Sequence, residues 1–167
     1  MKMRVMGIDP GLALMGYGVI ESDGNRFRTI DYGVIDTPAD MSEPDRLLLL
    51  WKELNVLLEK YKPDAVSVEE LFFNKNVKTA ISIGQARGVI LLAVKNCGIP
   101  LYEYTPLQAK QAVVGYGRAE KKQIQLMVKT ILNLSEIPKP DDAADALAIA
   151  ITHINNAGMI YRTKNYT

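Results

Sequence analysis

Apolar and polar positions at the start of the chain follow patterns typical of β-strands. Residues 3–9 form a short apolar run that stops at Asp9-Pro10-Gly11, a turn signal, and this predicts a buried strand. Residues 16–21 and 27–37 are rich in β-branched and aromatic side chains, and Asp-Gly-Asn separates them, which is typical of a hairpin. We therefore expect three consecutive strands, the first of which ends in a carboxylate.

The pattern then changes to helical spacing. Between Pro44 and Pro63, large apolar residues recur three or four positions apart and predict an amphipathic helix; they are Leu47, Leu50, Trp51, Leu54, Leu57 and Leu58. Residues 65–68 predict a fourth strand, which is followed by Glu69 and Glu70. A second strand therefore ends in acid.

The remaining elements alternate between helix and strand. We expect a buried helix over 77–96, a strand over 100–104, and helices over 106–114, 119–133 and 141–155. Gly84 and Gly88 lie one helical turn apart, so that the backbone of another segment could approach this helix closely. That segment could belong to a second copy of the chain in a dimer or to the same chain. The order β-β-β-α-β-α-β-α-α-α predicts the α/β class, with a mixed five-stranded sheet flanked by helices. We expect one domain over 1–158 and a flexible tail over 159–167.

Composition and charge reduce the number of functions that this chain could have. A chain of 167 residues with 48% hydrophobic residues is sufficient for one core. Cys97 is the only cysteine, which excludes an intrachain disulfide and fits a reducing cytoplasm. We see no signal peptide and no run of about 18 apolar residues, so we expect neither export nor a membrane span. Residues 74–122 hold 8 Lys or Arg against 2 Asp or Glu, which fits either a nucleic-acid surface or ordinary solvated helix faces.

Acidic residues stand at the ends of buried elements that are far apart in the sequence: Asp9, Glu69, and the pair Asp142 and Asp145 in the last helix. If the first and fourth strands are neighbours, about 4.8 Å apart, Asp9 and Glu69 meet at one sheet edge, and residues three apart share a helix face. Clustered carboxylates repel one another unless a divalent cation neutralises them, and oxygen ligands favour Mg²⁺ or Mn²⁺. Two such ions about 3.5 to 4 Å apart can activate water for attack on a phosphodiester. The pattern predicts a nuclease site.

Each acid also has a simpler interpretation. Asp9 is a common turn former, Glu69 fits an exposed strand end, and Asp141 or Asp142 fits a helix N-cap. These interpretations do not account for Asp145, which would face Ala148 and Ile149 in an apolar helix without an evident partner. On the residues alone, both interpretations stay open.

Several spaced segments resemble the RuvC family of Holliday junction resolvases from about residue 3 to residue 153. The matching segments are GIDPG at 7–11, GYGVI at 16–20, VEELF at 68–72, GQARGV at 84–89 and DAADALAIA at 142–150. The resemblance implies an RNase H-like fold, a homodimer, paired symmetric nicks in a four-way DNA junction, a Mg²⁺ cofactor and a RuvA and RuvB branch-migration motor as partner. It also implies that the catalytic and metal-binding acids are Asp9, Glu69, Asp142 and Asp145, with Glu70 and Asp141 as the neighbouring alternatives. Some family members carry histidine in place of Asp142, so its role could be proton transfer or positioning.

Basic and aromatic residues complete the expected DNA surface. Phe72 and Phe73 follow Glu69 and could stack on an unpaired base or belong to the core, and Lys75 lies in the same loop. Basic residues also surround the loop at 115–117, where they could hold phosphates: Lys110, Arg118, Lys121 and Lys122. The resemblance matches Phe72, Lys110 and Lys121 to DNA-contacting positions. We expect His153, the only histidine, to be a packing or capping residue.

Three other functions compete with a resolvase. An RNA-strand hydrolase of the same fold would cut a hybrid duplex better than a junction. An actin-like kinase or ATPase also places an aspartate after its first strand, but it needs two lobes, and 167 residues supply one. A junction-binding protein without catalysis would bind DNA without metal-dependent nicking.

Overall fold

The computed structural model describes residues 2–70 and 76–164, with side chains up to Gly158. This part of the chain forms five strands and five helices in the predicted order: β1 (Met3–Asp9), β2 (Leu14–Ser22), β3 (Phe27–Asp36), α1 (Glu43–Tyr61), β4 (Ala65–Glu69), α2 (Val77–Asn96), β5 (Leu101–Tyr104), α3 (Pro106–Val114), α4 (Lys121–Ile131) and α5 (Asp141–Lys164). The sheet order is β3-β2-β1-β4-β5, in which β1 to β3 pair antiparallel and β4 and β5 continue in parallel. The predicted hairpin and the mixed five-stranded sheet are therefore confirmed.

The alternation of side chains along the strands divides the core into two layers. On β1, Met6 and Ile8 face the layer that contains α1 and α2, whereas Val5 faces the layer that contains α3, α4 and α5. Because side chains alternate with period two, Gly7 and Asp9 lie on the same face as Val5. The sheet therefore directs its terminal carboxylate toward α5.

The helix α5 lies directly on this face because small residues leave room for it. A Cβ added to Gly7 would lie 2.0 Å from the carbonyl oxygen of Ala146, and one added to Gly16 would lie 2.0 Å from that of Asp142. Real Cβ atoms essentially never come within 3.0 Å of such atoms. On β4, Ser67 takes the corresponding place, and its hydroxyl donates to the carbonyl oxygen of Ile149 at 3.2 Å. Glycine and serine thus fix the distance between helix and sheet.

The helix α5 is longer than the sequence predicted. It continues to Lys164, whereas we expected it to end at about Asn155. High helix propensity alone did not indicate how far the helix would extend beyond the sheet. The division into a domain over 1–158 and a flexible tail over 159–167 stays a prediction.

The helix α2 packs on the sheet with only one side. Its buried residues are Ala86, Ile90, Ala93 and Val94. The helix α2 contains no unbroken apolar run of about 18 residues, but its length and mean hydropathy are sufficient for it to cross a membrane. One such helix is weak evidence for a membrane span, since core helices of soluble proteins meet the same criterion.

The glycines of α2 face away from the described parts of the chain. A Cβ at Gly84 or Gly88 would meet no atom of the described residues within 4 Å. Among the described residues, no helix of the same chain packs onto Gly84 or Gly88, which was the alternative to a dimer contact for this pair.

Candidate active site

Two strand ends and one helix bring acidic residues together as the sequence predicted. The parallel register of β1 and β4 pairs Ile8 with Val68, so the residues that follow, Asp9 and Glu69, lie side by side at the carboxyl ends of the two strands. Asp9 also pairs with Gly16 on β2, the glycine that touches the backbone of Asp142. The first turn of α5 is thus held directly above the strand ends.

A cleft of about 250 Å³ lies next to these acids and combines both signs of charge. Two acidic residues, Glu69 and Asp145, and two basic residues, Lys110 and Lys121, line its wall. Pro106, Ala109, Ile124, Ala148 and Ile149 complete the lining. Two of the four predicted acids and two of the predicted basic residues therefore line one opening.

Burial and crowding make Asp9 an unusual carboxyl group. Burial, first, and then the negative charges of Glu69, Asp145 and Asp142 raise the pKa of Asp9 to about 8. A hydrogen bond with Glu69 adds to this rise. Without a compensating cation, Asp9 therefore holds a proton near neutral pH, because the cluster opposes another negative charge.

Glu69 and Asp145 are affected in the same direction. Burial and the charge of Asp145 raise the pKa of Glu69. Burial also raises the pKa of Asp145, while the nearby ammonium of Lys121 opposes this rise. Perturbed carboxyl groups in a cleft are typical of functional sites, although structural clusters can show them too.

Asp145 has an ion-pair partner that the spacing of residues along the sequence did not indicate. The ammonium of Lys121 lies 3.6 Å from Asp145 Oδ2 and 3.0 Å from Asp141 Oδ2. The expectation that Asp145 would face Ala148 and Ile149 unpartnered was therefore wrong, because α4 begins beside α5 and brings Lys121 to it. Spacing within one helix could not reveal a contact between two helices.

The donor set fits a hard divalent cation in its chemistry. Its members are all carboxylates, and their mutual repulsion would be relieved by a cation of double charge. Within residues 2–70 and 76–164, however, no group of three or more acidic, histidine or cysteine side chains is already arranged to hold a metal ion. The acids converge, but they do not form a finished coordination shell, and metal ligation by Asp9, Glu69, Asp142 and Asp145 stays a prediction.

The neighbouring alternatives occupy different surroundings. Glu70 is exposed, and its backbone N–H donates to Tyr104, whereas Glu69 lines the cleft. Asp141 and Asp142 both lie within the first turn of α5. Neither of them precedes that helix, so the N-cap interpretation of these two residues is not supported.

The predicted DNA-binding residues are only partly described. Lys110 and Lys121 line the cleft, while Arg118 and Lys122 are exposed near the start of α4. Phe72, Phe73 and Lys75 lie outside the described residues. Contact of any of these residues with DNA stays a prediction.

His153 is a packing residue, as expected. It is buried, its Nδ1 lies 2.8 Å from the Tyr104 hydroxyl, and its ring lies 4.3 Å from that of Tyr102. Burial lowers the pKa of His153.

Comparisons with known proteins agree over nearly the whole chain. A family model described as crossover junction endodeoxyribonuclease RuvC matches residues 5–153. A protein of that description from Ruminiclostridium cellulolyticum is 60% identical over 157 residues, which cover 94% of this chain and 95% of that protein. One from Desulfitobacterium hafniense is 59% identical over 160 residues, 96% of this chain and 97% of that protein.

A solved structure described as T. thermophilus RuvC in complex with Holliday junction substrate is similar to this chain with a TM-score of 0.87. The two are 37% identical, and the match covers 94% of this chain and 96% of that chain. The yeast mitochondrial Holliday junction resolvase Ydc2 has a TM-score of 0.73 at 17% identity, over 98% of this chain and 82% of that one, and shows a shared fold alone. The predicted RNase H-like fold is therefore confirmed.

Proposed function

This chain belongs to the RuvC family of crossover junction endodeoxyribonucleases, and from that premise we propose that it resolves four-way DNA junctions by paired symmetric hydrolytic nicks. The observation that carries the proposal is the convergence of acidic residues from two strand ends and α5, beside a cleft that is lined by Glu69, Asp145 and two lysines. Carboxylates alone would repel a phosphate group, and lysines alone would bind it without cutting. Their combination fits phosphodiester hydrolysis.

Asp9, Glu69, Asp142 and Asp145 would hold two Mg²⁺ ions, with Mn²⁺ as an expected substitute. When bound, these ions supply an activated water and stabilise the leaving oxygen. The raised pKa of Asp9 supports this assignment, because it reflects burial and repulsion among neighbouring carboxylates, which a bound cation would relieve. Hydrolysis at the phosphate would leave 5′-phosphate and 3′-hydroxyl ends that a ligase can join.

The lysines of the cleft would bind and orient the strand. Lys110 is half-buried in the wall next to Glu69, a suitable place for an ammonium that holds a phosphate beside the acids. Arg118 and Lys122 are exposed nearby and would extend the contact along the backbone. We keep Phe72, Phe73 and Lys75 as predicted DNA contacts from the sequence.

We further propose that the active form is a homodimer, since two nicks across a junction need two active sites. The outer side of α2 supports this, because Ile81 is 58% exposed and Leu92 is 63% exposed. Gly84 and Gly88 on the same helix have no described neighbour within 4 Å and would allow a second helix to approach closely. A second copy of the chain would remove this apolar surface from water.

Two assignments are expectations from the family alone. The curated relatives come from bacteria, and we expect the protein in the cytoplasm, where bacterial DNA lies. A RuvA and RuvB motor is the expected partner.

The decisive experiment offers the protein a synthetic four-way junction, a linear duplex and an RNA–DNA hybrid, each with and without Mg²⁺. We expect paired, symmetric nicks in the junction that require the metal and that a ligase seals without treatment of the ends. Asp145→Asn, which keeps the size of the side chain, serves as the inactive control. Faster cutting of the hybrid would favour an RNA-strand hydrolase, and tight junction binding without nicking would favour a non-catalytic binding protein.

A further inference from the structure

Asp141 stands beside the acidic cluster but makes a separate set of contacts. Its Oδ2 lies 3.0 Å from the ammonium of Lys121, and its Oδ1 accepts a hydrogen bond of 3.0 Å from the side-chain amide of Gln125. Gln125 follows Lys121 by four residues on α4, so the two side chains share one helix face. Both oxygens of Asp141 are thus engaged by α4, at the point where α5 begins.

Lys121 is shared between this acid and a residue of the proposed metal site. The same ammonium lies 3.6 Å from Asp145 Oδ2, farther than from Asp141. The side chains of Lys121 and Asp141 are 56% and 61% exposed, and such exposed pairs contribute little to folding stability. The contact therefore matters more for where the ammonium lies than for whether the protein folds.

We propose that Asp141 is a positioning residue that holds the Lys121 ammonium at the rim of the cleft and keeps it from closing onto Asp145. Asp145 then stays available to a divalent cation, and Lys121 stays available to a phosphate. The inference rests on the proposed function, because it assigns a metal-binding role to Asp145.

The physical reason is competition for one carboxylate. If Asp141 were neutral, the nearest described full negative charge to Lys121 would be Asp145, and the flexible four-carbon side chain could shorten the existing 3.6 Å ion pair to a close hydrogen-bonded contact. An ammonium bound to Asp145 occupies the oxygen that a cation needs. Loss of Asp141 would therefore weaken cation binding through Lys121.

A simpler effect must be distinguished from this one. Removing any negative charge near a cation site weakens the attraction of the cation over a distance. That effect does not depend on Lys121, whereas competition does. A double-mutant cycle separates the two.

The test measures Mn²⁺ binding to the full-length chain without DNA, by electron paramagnetic resonance of the free ion. The variants are Asp141→Asn, Lys121→Met, the double variant and Asp141→Glu, which restores the charge. We expect Asp141→Asn to weaken Mn²⁺ affinity by about three- to tenfold, a magnitude usual for coupled neighbours. In the Lys121→Met background the same change should have less than about a twofold effect, and Asp141→Glu should regain most of the affinity.

The outcomes separate failure of this inference from failure of the proposed function. An equal loss of affinity with and without Lys121 would show that Asp141 acts only as a distant charge, and no loss would show that it has no role. Either result overturns the inference while the metal site stands. If the wild-type chain and Asp145→Asn bind Mn²⁺ equally weakly, the metal site itself is wrong, and the inference fails with it.

Discussion

Replacing Gly16 by alanine tests whether the close approach of α5 to the sheet sets the positions of the acids. The added Cβ would lie 2.0 Å from the carbonyl oxygen of Asp142 and 2.4 Å from its carbonyl carbon. Both neighbours are backbone atoms, so the start of α5 must move away by about 1.4 Å to reach an ordinary contact of 3.4 Å. That movement carries Asp142 and Asp145 with it.

The expected loss is large for activity and moderate for stability. Misplacing catalytic groups by about 1 Å can reduce a rate by about 100-fold, and overpacking of this kind costs about 1–3 kcal/mol of unfolding free energy. We therefore expect Gly16→Ala to nick a junction about 100-fold more slowly and to unfold at a lower denaturant concentration. Single-turnover nicking with Mg²⁺ and chemical denaturation measure the two effects.

A matched control separates the effect of the crowded position from the general effect of replacing glycine by alanine. Gly158 lies on the same helix, and a Cβ there would meet no described atom within 4 Å. Gly158→Ala should leave nicking unchanged and should slightly stabilise the helix. A Gly16→Ala protein that is folded and nicks at the wild-type rate would refute the argument that this glycine positions the acids.

Four further predictions follow from the site and from the proposed dimer. Asp145→Asn should abolish nicking while junction binding in EDTA persists, and a variant that still nicks at the wild-type rate removes Asp145 from the site. Lys110→Ala should weaken junction binding and reduce its dependence on salt concentration by about one counterion; an unchanged salt slope excludes a phosphate contact there. In EDTA, the free energy of unfolding should fall as the pH rises from about 4 to about 8. The pKa of Asp9 is about 8 in the folded protein and about 3.9 in the unfolded chain. Between these values the folded state binds one more proton than the unfolded state, and raising the pH therefore favours unfolding. Asp9→Asn should flatten this decline in a series of denaturation curves, and an equally steep decline in that variant would contradict the assignment. Ile81→Asp should convert a dimer to a monomer in analytical ultracentrifugation, whereas an unchanged mass would place the dimer contact elsewhere.

The sequence predicted the strands well because their signals are local. The apolar run that ends at Asp9 and the turn residues at 23–25 are contained within a few positions, and both produce the expected elements. The prediction that Asp9 and Glu69 lie close together depended on one assumption, that the first and fourth strands pair. The register of β1 and β4 confirms this pairing.

Contacts between distant elements were harder to predict. The ion pair of Lys121 with Asp145 depends on how α4 packs beside α5, and no spacing within either helix encodes that arrangement. Gly7 and Gly16 were noticed as parts of matching segments, but their role in admitting α5 was missed. The sequence did contain a signal for this close packing, because small residues alternate with the core residues along β1 and β2.

The central claim is that Asp9, Glu69, Asp142 and Asp145 together hold divalent cations at the strand to be cut. Crystals grown with Mn²⁺ and an uncleavable junction, measured at the manganese absorption edge, test it most directly. We expect anomalous peaks between these carboxylates, at about 2.0 to 2.4 Å from their oxygens. Peaks that lie only at Glu70, at Asp141 or away from β1 and β4 would contradict it.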